Sequence, residues 1–261
     1  MIFENLGETT GETVSADIVI VGAGPAGITL ALELESLGVR IALLESGGEY
    51  FDDRAQELND GVVTGLEKTD LMAARLRILG GATNHWGGHC LPLDPVDFAR
   101  APLSGLSGWP MSFDDLTDAY RKASDYCEIG ALEYSLDSVP ALRKSDLLLP
   151  DDPLVETALI RQSGPTNFGQ TYFERLKASE TIQVWLWTTA NGIELDAEGV
   201  ATAVTTHNLD GAERRFEAGT VVIACGAVEN ARLLLANNQR LGTSFGNAGG
   251  FLGACYMDHP V

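Results

Sequence analysis

The sequence predicts an α/β protein with a central parallel sheet, an antiparallel meander and a helical insertion. Three observations predict it. Residues 17–48 pass from an apolar run through a glycine turn into an amphipathic stretch and back to an apolar run, the pattern of a strand–helix–strand unit. Residues 181–216 change to short strand-like runs, the later ones joined by Asp-Ala-Glu-Gly and Asn-Leu-Asp-Gly, both typical hairpin connectors. Residues 220–224, Thr-Val-Val-Ile-Ala, read as a further buried strand that turns through small residues into a helix over 228–236.

Taken in order, residues 1–16 are polar and acidic and read as a loose leader, without the basic and apolar regions of a signal peptide. Residues 17–21 form the first buried strand. Gly22, Gly24 and Gly27 follow in the spacing G-x-G-x-x-G. The first glycine permits a tight turn, the second lets backbone approach a pyrophosphate, and the third lets helix pack on strand. The helix that begins there turns its amide end and positive dipole toward phosphates. Gly38 closes it, and residues 41–44 form the next strand. Glu45, at the tip of that strand, is placed to accept from the ribose hydroxyls of an adenosine. Together these features point to an ADP-ribose site. Alone they leave FAD and NAD both open, because the two share that half.

Residues 49–71 are a polar excursion leading to Arg-Leu-Arg-Ile-Leu-Gly-Gly-Ala-Thr-Asn-His-Trp-Gly-Gly-His-Cys at 75–90. Gly80, Gly81, Gly87 and Gly88 bracket residues 82–86, and the stretch has neither helical nor strand period, so it reads as a loop that needs close backbone approach or unusual dihedrals. Ser112 and Asp115 are spaced as a capping box opening a helix, with Leu116, Ala119, Tyr120 and Ala123 on one face and Gly130 at its end. Another helix is expected around 151–162. The domain reading is a leader (1–16), a nucleotide-binding domain (17–48 and 181–240), a lid or helical insertion (49–180) and the start of a truncated second domain (241–261). The closing string Tyr-Met-Asp-His-Pro-Val reads as the entry to a further strand.

Composition narrows the function. Thirty-seven acids against 17 bases give a formal net charge of −20, which argues against nucleic acid and anionic membrane surfaces as partners. No run is long and apolar enough to span a bilayer. Cys90, Cys127, Cys225 and Cys255 are too widely spaced for a disulfide framework or a zinc knuckle, so reduced thiols and a cytoplasmic location are expected.

The motifs VGAGPAGITLALELESLGVRIALLESG (21–47), RILGGATNHWGG (77–88), GWPMSFDDLTDAYRKA (108–123), VVIACGAVENARLLLA (221–236) and MDHP (257–260) resemble, in order, the N-terminal half of the glucose–methanol–choline oxidoreductases. The resemblance implies an FAD-type Rossmann-like, three-layer domain with the substrate domain largely absent. It implies FAD-dependent oxidation of an alcohol or sugar hydroxyl, with the electron acceptor (oxygen, quinone or protein) unassigned. It places cofactor contacts at Gly22, Gly24, Pro25, Ala26, Gly27, Glu45, Ser46, Arg77, Gly80, Gly81, Thr83, Asn84, His85, Trp86, Gly87, Gly192, Ala224, Gly226 and Asn230. Gly192 matches the adenine-contacting backbone position. His85 matches a histidine that some members join covalently to the flavin 8α-methyl, while non-covalent contact is the alternative. The catalytic base of the family would lie beyond residue 261, so no catalytic residue is assigned.

Plainer readings stand beside these. His85, His89 and Cys90 lack a fourth metal ligand, and no metal is expected. Trp86 serves equally as a buried aromatic, and Cys225 as a small packing residue. Asp258 and His259 look like an acid–base pair, but the family string they sit in is not catalytic. Arg75 and Arg77 face either phosphates or flavin, with solvent an equal reading for Arg75. Two rival functions remain: an NAD-dependent dehydrogenase, and a non-catalytic flavin-binding fragment or subunit that needs a C-terminal partner chain.

Overall fold

The computed structural model describes residues 1–5, 11–64, 70–99, 108–139, 141–148, 154, 157–164 and 166–256. It divides into two compact units, Met1–His85 with Asn167–Val261, and Trp86–Thr166.

The first unit is built on a five-stranded, all-parallel sheet. Its order is β1 (Ile2–Glu4), β7 (Ile182–Leu186), β4 (Ile41–Leu44), β3 (Ile18–Val21) and β11 (Thr220–Ile223). β4 is buried along its whole length, and Val19, Ile20 and Val21 of β3 are buried beside it, as a sheet covered on both faces requires. α1 (Pro25–Leu34) packs on this sheet through Ile28, Ala31 and Leu32, and Gly38 ends its 3₁₀ extension at φ +67°. α2 (Asp53–Glu57) is capped by Asp52, whose carboxylate accepts from Ala55 N at 3.0 Å. α5 (Phe168–Thr171) and α6 (Phe173–Ala178) lead into β7. A second sheet has the order β2 (Glu12–Ser15), β10 (Glu213–Glu217), β9 (Ala201–His207) and β8 (Thr189–Leu195). Its β8–β9–β10 part is the expected meander, and both four-residue turns close on a glycine at positive φ, Gly199 and Gly211. α7 (Ala227–Leu241) follows β11 and stacks on β8.

The second unit holds β5 (His89–Cys90) paired with β6 (Arg161–Gln162), α3 (Pro95–Ala99) and α4 (Thr117–Tyr126). The capping box forms, with Ser112 N donating to Asp115 Oδ2 at 2.8 Å and Asp115 N to Ser112 Oγ at 3.4 Å. The buried face of α4 is Ser124 and Tyr126, while Ala119 and Ala123 are exposed.

Three expectations are corrected. The leader is not loose: β1 and β2 each add a parallel strand to one of the sheets, and Phe3 stacks on Trp185 at 4.5 Å between ring centroids. The run 181–189 is not one strand of the meander. Trp187, at φ +56°, breaks it, so β7 joins the parallel sheet and β8 starts the second one. The helix expected around 151–162 falls largely outside the described residues, and its described end is β6, a strand. The string 257–260 also lies outside them. No helix among the described residues is long and apolar enough to cross a membrane.

Candidate functional site

The carboxyl ends of β3, β4, β7 and β11 open on a cavity of about 460 Å³, where a doubly wound sheet places its ligand. Gly22 turns there at φ +102°, and a Cβ on it would lie 2.6 Å from Ala224 O. A Cβ on Gly27 would collide with Gly22 O. These two glycines serve the protein's own packing. Gly24 differs, because a Cβ there would meet no protein atom within 4 Å. It caps α1 without a side-chain hydrogen bond and lines the cavity with Pro25 and Ala26, leaving the first-turn amides of a ten-residue helix facing an open space.

Glu45 sits at the tip of β4, only 6% exposed. Its carboxylate accepts from Ala23 N at 3.1 Å and from Gly47 N at 2.9 Å, one amide on each oxygen. Burial pushes its pKa up, against the pull of the Gly47 and Ala23 amides and the Arg77 charge. Each oxygen retains a lone pair for a ribose hydroxyl. Ser46 also lines the cavity, and its Oγ accepts from Arg77 Nη1 at 3.0 Å.

The opposite wall is the first turns of α7. Glu229, 8% exposed, is met by Arg75 at 2.8 Å, Arg77 at 3.0 Å and Arg232 at 2.7 Å. Burial alone would raise this carboxyl, but Arg232 and Arg77, with Arg75, outweigh it and hold the pKa below the ordinary range. Gln56 and Asn59 fix the segment that carries the two arginines: Gln56 accepts from Arg77 N at 3.1 Å and Asn59 Oδ1 from Arg77 Nε at 2.8 Å. Cys225 lines the cavity with its thiol turned to Val21 O at 3.2 Å, and burial with the Glu45 and Glu229 charges pushes its pKa to about 12. It is a protonated packing residue at neutral pH.

Of the residues expected to touch a cofactor, Gly22, Gly24, Pro25, Ala26, Glu45, Ser46, Arg77, Gly81, Ala224 and Gly226 line this one cavity. Others stand behind its lining. Gly80 N donates to Ala23 O at 2.8 Å, and buried Thr83 bonds Gly80 O at 2.6 Å. Asn84 donates to Leu79 O and Gly81 O and faces a second cavity of about 220 Å³ with Glu49 and Glu174. Asn230 accepts from Cys225 N at 2.9 Å and shapes the turn into α7. Gly192 lies away from the lining, covered by Arg240 and Thr205, while Thr188, Thr189 and Ala190 occupy the wall. His85 is exposed at the end of the 3₁₀ turn Gly81–Asn84. Trp86 and Gly87 belong to the second unit, where Trp86 Nε1 donates to Thr166 O at 3.0 Å. Among the described residues no group of three His, Cys, Asp or Glu is placed to hold a metal. Sequence reading missed Gln56, Asn59, Glu229 and Arg232; the Glu229–Arg232 spacing of three on a helix was the available signal.

The family model described as "FAD binding domain" matches residues 15–235. The chain belongs to that family. This corrects the glucose–methanol–choline resemblance, the alcohol or sugar oxidation drawn from it, and the NAD reading. The strand–glycine–helix unit at the core of that resemblance is what ADP binding demands, so it recurs across flavoproteins and does not assign a family. The chain is 24% identical over 330 residues to a fructose dehydrogenase large subunit of Gluconobacter japonicus, covering 96% of this chain and 60% of that one. It is 33% identical over 105 residues to 3-(3-hydroxy-phenyl)propionate/3-hydroxycinnamic acid hydroxylase 1 of Burkholderia vietnamiensis, 40% of this chain and 16% of the other. A crystal structure of formate oxidase superposes with a TM-score of 0.56 at 17% identity, over 88% of this chain and 48% of that one, which is a likeness of fold alone. The chain therefore spans less than two thirds of the length of these proteins.

Proposed function

We propose that this FAD-binding domain serves an oxidoreductase acting on a small organic substrate, and that the cavity at the β3 and β4 tips holds the ADP half of FAD. The observation that carries the reading is the bare backbone of Gly24 at the α1 N-terminus, set in one cavity with the Glu45 carboxylate. The residues fit the group: α1 amides meet the pyrophosphate, Glu45 accepts from ribose, and Ala224 and Gly226 keep the far wall low. When bound, FAD would supply the electron chemistry, and the protein's part is to orient it and exclude water. The relatives' names, a dehydrogenase and a hydroxylase, support redox chemistry of an organic substrate and leave the electron acceptor unassigned. A covalent link at His85 is the finer form of this reading, supported by an exposed imidazole close in sequence to Gly81 and Ala82 of the lining. Four cysteines without disulfides support a cytoplasmic location.

The test is an absorbance spectrum after reconstitution with FAD, followed by acid precipitation. Flavin bands that enter the supernatant support FAD held without a bond. Bands retained in the pellet and released by His85→Ala support the covalent form. Retention of NAD but not FAD would overturn the reading.

A further inference from the structure

We propose that Arg232 is the side chain this cavity offers to the adenine ring of the cofactor, and that Glu229 is the positioning residue that aims it. The proposal rests on the FAD reading above and goes beyond it in naming what recognises the adenine end.

Three arginines converge on Glu229, but they are not equivalent. Arg75 gives Nη1 to Glu229, Nε to Leu71 O at 3.2 Å and Nη2 to Asn59 O at 2.9 Å. Arg77 gives Nε to Asn59, Nη1 to Ser46 and Nη2 to Glu229. Their side chains are 20% and 11% exposed, so both are spent as struts. Arg232 is 49% exposed, lines the cavity and donates only through Nε, to Glu229 Oε2 at 2.7 Å. Among the described residues neither of its Nη groups has a hydrogen-bond partner. Its planar guanidinium is gripped at Nε with its outer end uncommitted.

The position favours adenine over pyrophosphate. Contacts run from Ser46, next to Glu45, through Arg77 to Glu229 and Arg232. Leu233, adjacent on α7, packs in one cluster with Ala190 of β8, and Thr188, Thr189 and Ala190 line the same cavity as Arg232. The cluster thus joins the ribose acceptor rather than the α1 amides that face phosphate. A flat cation beside an aromatic base stacks on it, which a point charge cannot do equally well. Glu229 is required because it fixes Nε and with it the plane of the group.

The experiment measures binding of FAD, ADP and FMN to the chain by calorimetry. Arg232→Leu should weaken FAD and ADP by a common factor of roughly 5- to 30-fold and leave FMN unchanged. Arg232→Lys, which keeps the charge and loses the plane, should not restore ADP binding. Glu229→Gln should weaken ADP in the parent and add nothing in the Arg232→Leu background, whereas a merely structural role would add in both. Arg232 is half exposed, so the leucine variant should melt within a few degrees of the parent. Parental ADP affinity in Arg232→Leu, or full rescue by lysine, overturns the proposal. A parent chain that takes up neither FAD nor ADP overturns the cofactor reading itself.

Discussion

Two buried carboxylates face the same cavity and are held in opposite ways. Glu45, on the sheet side, is satisfied by two backbone amides, and burial pushes its pKa up. Glu229, on the helix side, is satisfied by three guanidinium groups, which outweigh burial and hold its pKa down. The residue type is the same and both are nearly closed to solvent, at 6% and 8% exposure. Glu45 lies deeper in the protein, so burial weighs more on it, and its partners are also weaker. Neutral dipoles satisfy the hydrogen bonds of a carboxylate without repaying the loss of bulk water, whereas full cations do both. The sheet wall therefore keeps an acceptor that binds a proton readily, and the helix wall keeps a fixed anion that organises arginines.

The largest expected effect comes from Glu229→Gln, which leaves three cations without their counter-charge. A fully buried pair would cost about 3–5 kcal/mol, and half-exposed Arg232 discounts this to roughly 2–3 kcal/mol at pH 7, read by urea unfolding. Because the folded pKa is depressed, the stabilisation is complete above the unfolded value of about 4.3 and is lost as pH falls through the folded one. The deficit should therefore close at more acidic pH, and a pH-independent deficit would break the comparison.

Glu45→Gln should cost less, roughly 1–2 kcal/mol near pH 4, where an amide replaces a largely neutral acid and leaves one backbone N–H without an acceptor. Its pH dependence has the other sign. A raised folded pKa means the parent loses stability as pH rises from about 4.3 through the folded value, and the variant does not. The deficit should shrink as pH rises, opposite to Glu229→Gln, and parallel slopes in the two unfolding series would show that the walls are alike. The smallest effect on stability is expected for Gly24→Ala, under about 1 kcal/mol at a helix cap with open space for the methyl group. FAD affinity should fall tenfold or more because the new Cβ occupies the phosphate approach, and unchanged affinity would remove Gly24 from the site.

Much of the fold was legible where its determinants are local. The apolar runs 18–21 and 41–44, the three glycines, the left-handed Gly38 and the capping box at Ser112 are all set by residues within a few positions of one another. What was misread depends on distant partners. β1 and β2 looked like a leader because the strands they pair with lie near residues 184 and 215. The run 181–189 looked continuous because only the packed structure holds Trp187 at positive φ, its Nε1 donating to Glu4 at 3.2 Å. Gly192 was singled out by family position, while the chain bends so that Thr188–Ala190 reach the wall.

The sequence by itself determined that a glycine turn opens a helix beneath a carboxylate at a strand tip, since spacing, backbone freedom and apolar period are properties of contiguous residues. Tertiary structure alone decided what that carboxylate is opposed by. Arg75 and Arg77 lie about 150 residues from Glu229 along the chain, so nothing in the sequence pairs them until the sheet and α7 enclose all three. A charge acquires its role from the dielectric and the counter-charges around it, and those exist only after the chain has packed.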